Sequence, residues 1–355
     1  MYRQTRSATA IALLLATLPT MTPAAIDADG GEAWATGSIV YIDNDALSVA
    51  ERDEDYTGGF AVTLAGRRAR DGRISADPLL GLVDDWFGVS GGSERYRLHS
   101  AQIGAIAFTP ADVHIAEPVA GDRPYASLVY WANGRTYLRG AHDAVYQTSI
   151  SLGVLGLNLL PQFQDGFHGL IGAARPRGWD YQISDGGEPT LRYTVSRQDL
   201  AATHRGGGWG DYDLKTTLGG SLGYTTEASA AVSVRWGRLN TPWWSFPPER
   251  VNYISEPVPV VGSTGGRREL FVWAGAKLKA PIYNVFLQGQ FRDSEVSYDR
   301  DDLRELVAEA WLGATAQIAE RVRVSWVMRY QTSELRDGRG DRELLWGSLF
   351  ITRDL

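Results

Sequence analysis

Residues 321 to 331, "RVRVSWVMRYQ", separate into two faces. Val322, Val324, Trp326, Met328 and Tyr330 share one, and Arg321, Arg323, Ser325, Arg329 and Gln331 share the other, with Val327 alone out of step. Side chains of an extended chain alternate between faces, so this stretch predicts a strand with one apolar and one strongly polar side. The pattern returns in "AVSVRWG", where Val232, Val234 and Trp236 oppose Ser233 and Arg235. It is softer in "GFAVTLAGR", where Phe60, Val62 and Leu64 oppose Ala61, Thr63 and Ala65. Twelve such strands are expected, near 38–45, 57–67, 94–108, 124–137, 143–157, 189–203, 210–224, 227–238, 267–281, 304–318, 321–334 and 343–354.

A soluble sandwich would alternate too. Strand length and aromatic content separate the cases. "ERYRLHSAQIGAIAFTP" and "RRELFVWAGAKLKA" exceed the roughly 9–11 residues that a tilted strand needs to cross a membrane. The apolar faces carry Trp and Tyr, which a membrane barrel places in interfacial girdles. No unpaired backbone edge can face lipid, so an even strand count closes on itself. The expected fold is therefore all-β: a twelve-stranded antiparallel transmembrane β-barrel. With both termini periplasmic, the connections near 46–56, 109–123, 158–188, 225–226, 282–303 and 335–342 face outward.

The N-terminus agrees with export. Arg3 and Arg6, the run "SATAIALLLATLPTM" and the small residues at Ala24 and Ala25 have the layout of a secretory signal peptide over residues 1–25. Residues 26–355 then form one barrel domain. Setting aside Arg3 and Arg6 moves the formal charge from −7 to −9, which excludes the basic surface that nucleic acid requires. There is no cysteine, hence neither a disulfide framework nor a thiolate metal site.

Two stretches interrupt the strands on the periplasmic side. In "DPLLGLVDDWFG", Asp77 is the expected N-cap and Pro78 the first helical residue, with Leu79, Leu82, Val83, Trp86 and Phe87 at helical spacing. A short amphipathic helix is predicted. The proline-rich "NTPWWSFPPERVNYISEPVPVVGSTGG" reads as a turn segment rather than a strand.

Four of the five histidines have no neighbours that suggest a site. His168 differs: Phe163, Phe167, Leu170 and Ile171 form an apolar stripe around it, predicting a short helix in an extracellular loop laid against the barrel rim. A histidine titrates near neutrality, as a general base must, but needs partners. Asn44 and Asp45 end the first strand and Thr57 begins the second, so adjacent strands can bring them together at the outer rim. Their oxygens suit Ca²⁺, a hard cation, although one carboxylate among amides and hydroxyls is a weak metal signal.

The blocks "IDNDALSVAERDEDYTGG", "GDRPYAS", "LGVLGLNLLPQFQDGFHGLIGAARPRGWDYQ" and "NVFLQGQFRDS" resemble, in order, those of the outer-membrane lipid A 3'-O-deacylase family. The resemblance implies a twelve-stranded barrel that hydrolyses the ester of the 3'-linked acyloxyacyl group of lipid A with Ca²⁺ assistance. It places Asn44 and Asp45 on the family's Asn-Asp pair, Thr57 on its hydroxyl residue and His168 on the histidine of its loop helix. It implies His168 as general base toward water, or toward Thr57 in a less favoured variant. Asn44 and Asp45 become the expected metal ligands. The expected partner is lipopolysaccharide in the outer leaflet, and a monomer is the expected state. The loop "PADVHIAEPVAGD" lacks the basic residues of other members; Arg175 and Arg177 could take over lipid A phosphates. The "DRPYAS" block, Asp122 to Ser127, reads mainly as a structural corner. Two other readings fit the strands: an outer-membrane phospholipase with a serine–histidine pair on its outer wall, or a non-catalytic pore or structural barrel.

Overall fold

The computed structural model describes residues 31–44, 47–48, 58–91, 96–115, 117–139, 144–157, 178–206, 210–263 and 268–355. The barrel strands are β1 (Gly37–Asn44), β2 (Gly58–Ala65), β3 (Tyr96–Phe108), β4 (Ala126–Leu138), β5 (Val145–Leu155), β6 (Glu188–His204), β7 (Asp211–Gly223) and β8 (Thr225–Arg238). A two-residue pair follows, β9 (Val251–Asn252) and β10 (Ile254–Ser255), and then β11 (Leu270–Asn284), β12 (Val307–Ala319), β13 (Val322–Gln331) and β14 (Leu344–Asp354). All but β9 and β10 form one closed antiparallel cylinder of twelve strands, sealed where β1 pairs β14 from Gly37↔Asp354 to Asn44↔Gly347. Every expected strand is present, with ends displaced by a few residues.

Alternation assigns the faces as the sequence does. Val232, Val234 and Trp236 are exposed on the outer wall while Ser233 and Arg235 are buried inside. On β13, Trp326 and Tyr330 face out, and Ser325, Arg329 and Gln331 face in. Val327 breaks the pattern for a reason. It points into the lumen and packs with Phe271, Trp273 and Trp311.

The proline-rich segment supplies what the strand pattern could not show. Residues 239–263 leave β8 at the end bearing the termini and enter the lumen as a plug. Lys215 ion-pairs with Glu249 at 3.1 Å, and Lys277 donates to the carbonyl oxygens of Glu249 and Val251 at 3.2 and 2.6 Å. Arg329 donates to the Pro248 carbonyl at 2.7 Å. Phe246 stacks edge-on against Phe271 and Trp273, and Tyr253, at φ 64° between β9 and β10, packs against Phe108 and Phe286 near the opposite end. Wall charges left inside a water-poor lumen must be paired; the plug's carbonyls and carboxylates do that.

Two short helices, α1 (Arg68–Asp71) and α2 (Asp77–Trp86), follow β2. The helix expected here is present, but its cap differs from expectation. Ala76 is the N-cap and Asp77 lies within the first turn. Asp77, Leu80 and Asp84 are the buried side, while Leu79, Leu82, Trp86 and Phe87 are exposed. The helix lies on the outer wall over β4 and β5, where alternation turns Asn133, Arg135 and Thr148 outward. Arg135 donates to both Asp77 carboxylate oxygens at 2.7 Å. Asp84 accepts from Tyr137, from Tyr193 at 2.9 Å and from Thr148 at 3.0 Å. The protein-facing stripe is therefore acidic, because it caps polar groups on a wall that otherwise meets lipid.

Candidate functional site at the outer rim

An even strand count puts both termini at one end, the periplasmic side expected from the sequence, and the opposite end is then extracellular. There β1 runs out through "YIDN". Tyr41 and Asp43 turn inward; the Tyr41 hydroxyl donates to Asp43 at 2.6 Å, and both are buried. Alternation turns Asn44 outward. Its amide nitrogen lies 3.4 Å from where a Cβ on Gly58 would stand, so both positions share the outer face. Gly58 has φ 141° and lies beneath the Asp43 carbonyl, 2.6 Å from that Cβ position, an arrangement only glycine accepts without strain.

Leu47 lies against the outer wall. The Leu47 carbonyl accepts from the Trp326 indole at 3.2 Å and occupies the space a Gly347 side chain would need. On the other flank, Gly58 pairs with Ala107 of β3. Ala107, Tyr125 and Trp179 form a small apolar cluster on the outside, with Tyr125 and Trp179 rings 5.0 Å apart. Ser127 donates to Gln182 at 2.7 Å and the Ile183 amide to the Tyr125 carbonyl at 2.8 Å. The segment beginning at Gly178 is thus fastened to the outer wall two strands from Asn44. The sequence reading missed Tyr125 and Trp179 as rim residues, and it put Trp326 on the apolar outer face without linking it to the segment after β1.

A buried corner braces this rim. Asp122 accepts from the Arg123 amide and from the Arg342 guanidinium, each at 2.7 Å, and Tyr298 donates to the Asp122 carbonyl at 2.8 Å. Burial and the Asp122 charge push the Tyr298 hydroxyl up to about 12, keeping it a donor. Arg123 pairs with Glu334, which also accepts from Asn284 at 3.1 Å and from Tyr253 of the plug. Burial alone would raise the Glu334 carboxyl, but Arg123 and Lys279 outweigh it and hold the group below its ordinary range. In "NVFLQGQ", Asn284 caps α3 (Val285–Gln288), accepting from the Phe286 amide at 3.1 Å, and Val285, Phe286 and Leu287 are fully buried. Two of the four sequence blocks are thereby accounted for as scaffold, including the corner at Asp122 to Ser127.

Of the candidate site residues, Asn44 is placed at the rim facing outward. Asp45, Thr57, His168, Arg175 and Arg177 lie outside the described residues, as does the helix expected around His168. Among the described residues no three His, Asp or Glu side chains gather to hold a metal ion. Asn44 offers one amide oxygen, and the neighbouring Asp43 carboxylate is committed to Tyr41 inside the barrel, so the described donors alone do not make a Ca²⁺ site.

In structure, the chain is similar to LpxR from Salmonella typhimurium, at 17% identity and a TM-score of 0.69, over 90% of this chain and 100% of that one. It is more distantly similar to the β domain of the Bordetella autotransporter BrkA (9% identity, TM-score 0.43, 90% and 100% covered). A comparable distance separates it from the COG4313 outer membrane channel of Pseudomonas putida F1 (9% identity, TM-score 0.42, 95% and 100% covered). No curated protein sequence matches it. Residues 10–355 match the family described as outer membrane protein LpxR, bearing out the resemblance of the four sequence blocks. The chain belongs to the LpxR family of bacterial outer-membrane β-barrel proteins.

Proposed function

We propose that this barrel is a hydrolase that removes the 3'-linked acyloxyacyl group from lipid A in the outer leaflet. The observation that carries the reading is the placement of Asn44. It faces lipid, not lumen, at the extracellular end, where the esters of an outer-leaflet lipid lie. It is flanked by the segment returning from the loop that bears His168. Neighbouring strands are about 4.8 Å apart, so Asn44 and Ala107 are separated by roughly 10 Å. The ten residues from His168 to Gly178 can span up to about 33 Å, so chain geometry permits His168 to approach Asn44.

In this reading His168 takes a proton from water as the water oxygen attacks the ester carbonyl carbon. The tetrahedral oxyanion collapses, the carbon–oxygen bond to the sugar breaks, and His168 returns the proton to the departing sugar oxygen. The products are a free acyloxyacyl acid and a 3'-hydroxyl. Asn44, Asp45 and Thr57 position the base and the ester. Asn44 and Asp45 are the oxygen ligands proposed for Ca²⁺, which when bound supplies Lewis-acid polarisation of the ester carbonyl. Arg175 and Arg177 meet lipid A phosphate. The plugged lumen disfavours the pore alternative. His99, an outer-wall histidine among the described residues, lies at the periplasmic end paired to Glu32 at 2.6 Å rather than to a serine, which gives the phospholipase alternative no dyad there.

The test is mass spectrometry of lipid A and phospholipid from cells expressing wild type, His168→Ala and Asn44→Ala. Lipid A lighter by one acyloxyacyl group in wild type alone is the expected result. Deacylation that survives His168→Ala, or altered phospholipid over unchanged lipid A, overturns the assignment.

A further inference from the structure

The periplasmic half of the outer wall is built unlike the rest. Its polar side chains are already satisfied by protein: Arg135 by Asp77, Asp84 by two tyrosines and Thr148, and His99 by Glu32. What α2 shows outward is mainly apolar, with Asp85, bonded to Ser90, the exposed carboxylate. Leu82 is 69% and Trp86 83% exposed, and Ile74, just before the helix, is 73% exposed. In water so concentrated a ridge is costly. Here it continues the lipid-facing wall: Leu80 packs on Ile150 and Tyr193, and Phe87 stacks on Tyr193 at 5.3 Å, beside the exposed Leu152 and Leu191.

The ridge adjoins positive charge. The turn "GRRARDGR" places Arg67, Arg70 and Arg73 next to α2, and Arg67 and Arg70 share with Arg97, His99 and the Glu32 paired to it the walls of an open recess of about 350 Å³. Within the turn one carboxylate, Asp71, answers Arg67 at 3.6 Å and Arg70 at 2.7 Å, leaving an excess of guanidinium. An apolar ridge beside clustered arginines is the arrangement that seats an interfacial helix on anionic lipid.

We infer that α2 and its arginine turn form a foot that binds anionic glycerophospholipid in the periplasmic leaflet. The ridge of Ile74, Leu82 and Trp86 enters the acyl boundary, and Arg67, Arg70 and Arg73 hold the phosphate headgroups. The occupant follows from charge complementarity and from the continuity of the ridge with the membrane-facing wall. It is independent of the proposed deacylation at the opposite end.

The cysteine-free sequence makes the test specific. The full-length chain carrying Leu82→Cys, or Trp86→Cys as a second position, is labelled with an environment-sensitive fluorophore. It is then folded into vesicles of phosphatidylethanolamine with or without phosphatidylglycerol, with folding verified by the heat-modifiable gel mobility of closed barrels. Native mass spectrometry counts the retained lipids. The expected results are quenching by spin-labelled lipid but not by aqueous iodide, and preferential retention of phosphatidylglycerol. That preference should fall on the order of tenfold in Arg67→Gln/Arg70→Gln/Arg73→Gln, allowing for the charge Asp71 already neutralises. Iodide quenching at both labels overturns the inference. So does a headgroup preference that is absent, unchanged in the triple variant, or abolished by inorganic phosphate, which would mark a free-anion site.

Discussion

Replacing Asp77 by Ala tests whether the outer-wall ion pair holds α2 in place. In the native chain the Arg135 guanidinium makes two 2.7 Å bonds to the Asp77 carboxylate, and both side chains are nearly excluded from solvent. Removing one partner of such a pair costs about 3–5 kcal/mol, since the remaining charge stays buried without compensation. Two features pull the estimate to the lower end: Arg135 keeps the Asp77 carbonyl at 2.9 Å, and Asp84 lies 3.8 Å away. About 3 kcal/mol, roughly a hundredfold in the folding equilibrium, is therefore expected. Undocking the helix offers little relief, because it also bares Asn133, whose side-chain oxygen accepts from the amide of the N-cap Ala76 at 2.8 Å.

The assay is urea unfolding in phospholipid vesicles of wild type, Asp77→Ala, Arg135→Met and the double variant. An apolar pair of similar volume is often as stable as the ion pair it replaces. The double variant is thus expected to recover most of the loss, with a coupling energy of about 2 kcal/mol or more. A single-variant cost below about 1 kcal/mol, the range of exposed pairs, would refute the reasoning. So would a double variant no more stable than Asp77→Ala.

Three further outcomes follow. Burial raises the Asp84 carboxyl above its ordinary value, against the lowering bonds from Tyr137, Tyr193 and Thr148; the folded chain then holds an extra proton between the ordinary and raised values. Stability contributed by this group should fall as pH rises through that window, and a urea-midpoint series should flatten in Asp84→Asn. Replacing residues 243–260 by a short glycine–serine turn should raise ion conductance in planar bilayers, and equal conductance in wild type would contradict a filled lumen. Gly58→Val should destabilise the rim by about 1–3 kcal/mol, because a Cβ would stand 2.6 Å from the Asp43 carbonyl; unchanged unfolding and lipid A profiles would count against the rim geometry.

The barrel was legible because closure in lipid leaves few options once alternation is seen, and Val232, Trp236, Trp326 and Tyr330 all face out as their spacing requires. The plug was not legible. Alternation says that Lys277, Glu309 and Arg329 face inward but not what meets them there, and 239–263 has no period to mark where it goes. The sequence predicted an amphipathic α2 but not which of its faces meets protein, because an apolar stripe ordinarily points to protein only when the other side is water. Here the stripe that meets protein is Asp77, Leu80 and Asp84, spaced three and four residues apart. Its complement was visible in β4, where Asn133, Arg135 and Tyr137 continue the outward face of Val129 and Trp131, an uneconomical choice against bare hydrocarbon.

The same argument explains why the proposed function puts its site outside the barrel. A lumen closed by the plug gives a two-tailed or many-tailed lipid no entry, whereas the wall is in contact with such lipids throughout. On that wall, polar side chains persist only where protein covers them or where a polar part of a lipid meets them. Arg135 and His99 are the covered kind, under α2 and the Glu32 segment. Asn44 lies at the opposite end and is turned outward by alternation. Gly58 and Gly347 on either side leave backbone where side chains would crowd it. Under the proposed function, an outward amide at that end is where the polar part of an outer-leaflet lipid would be met.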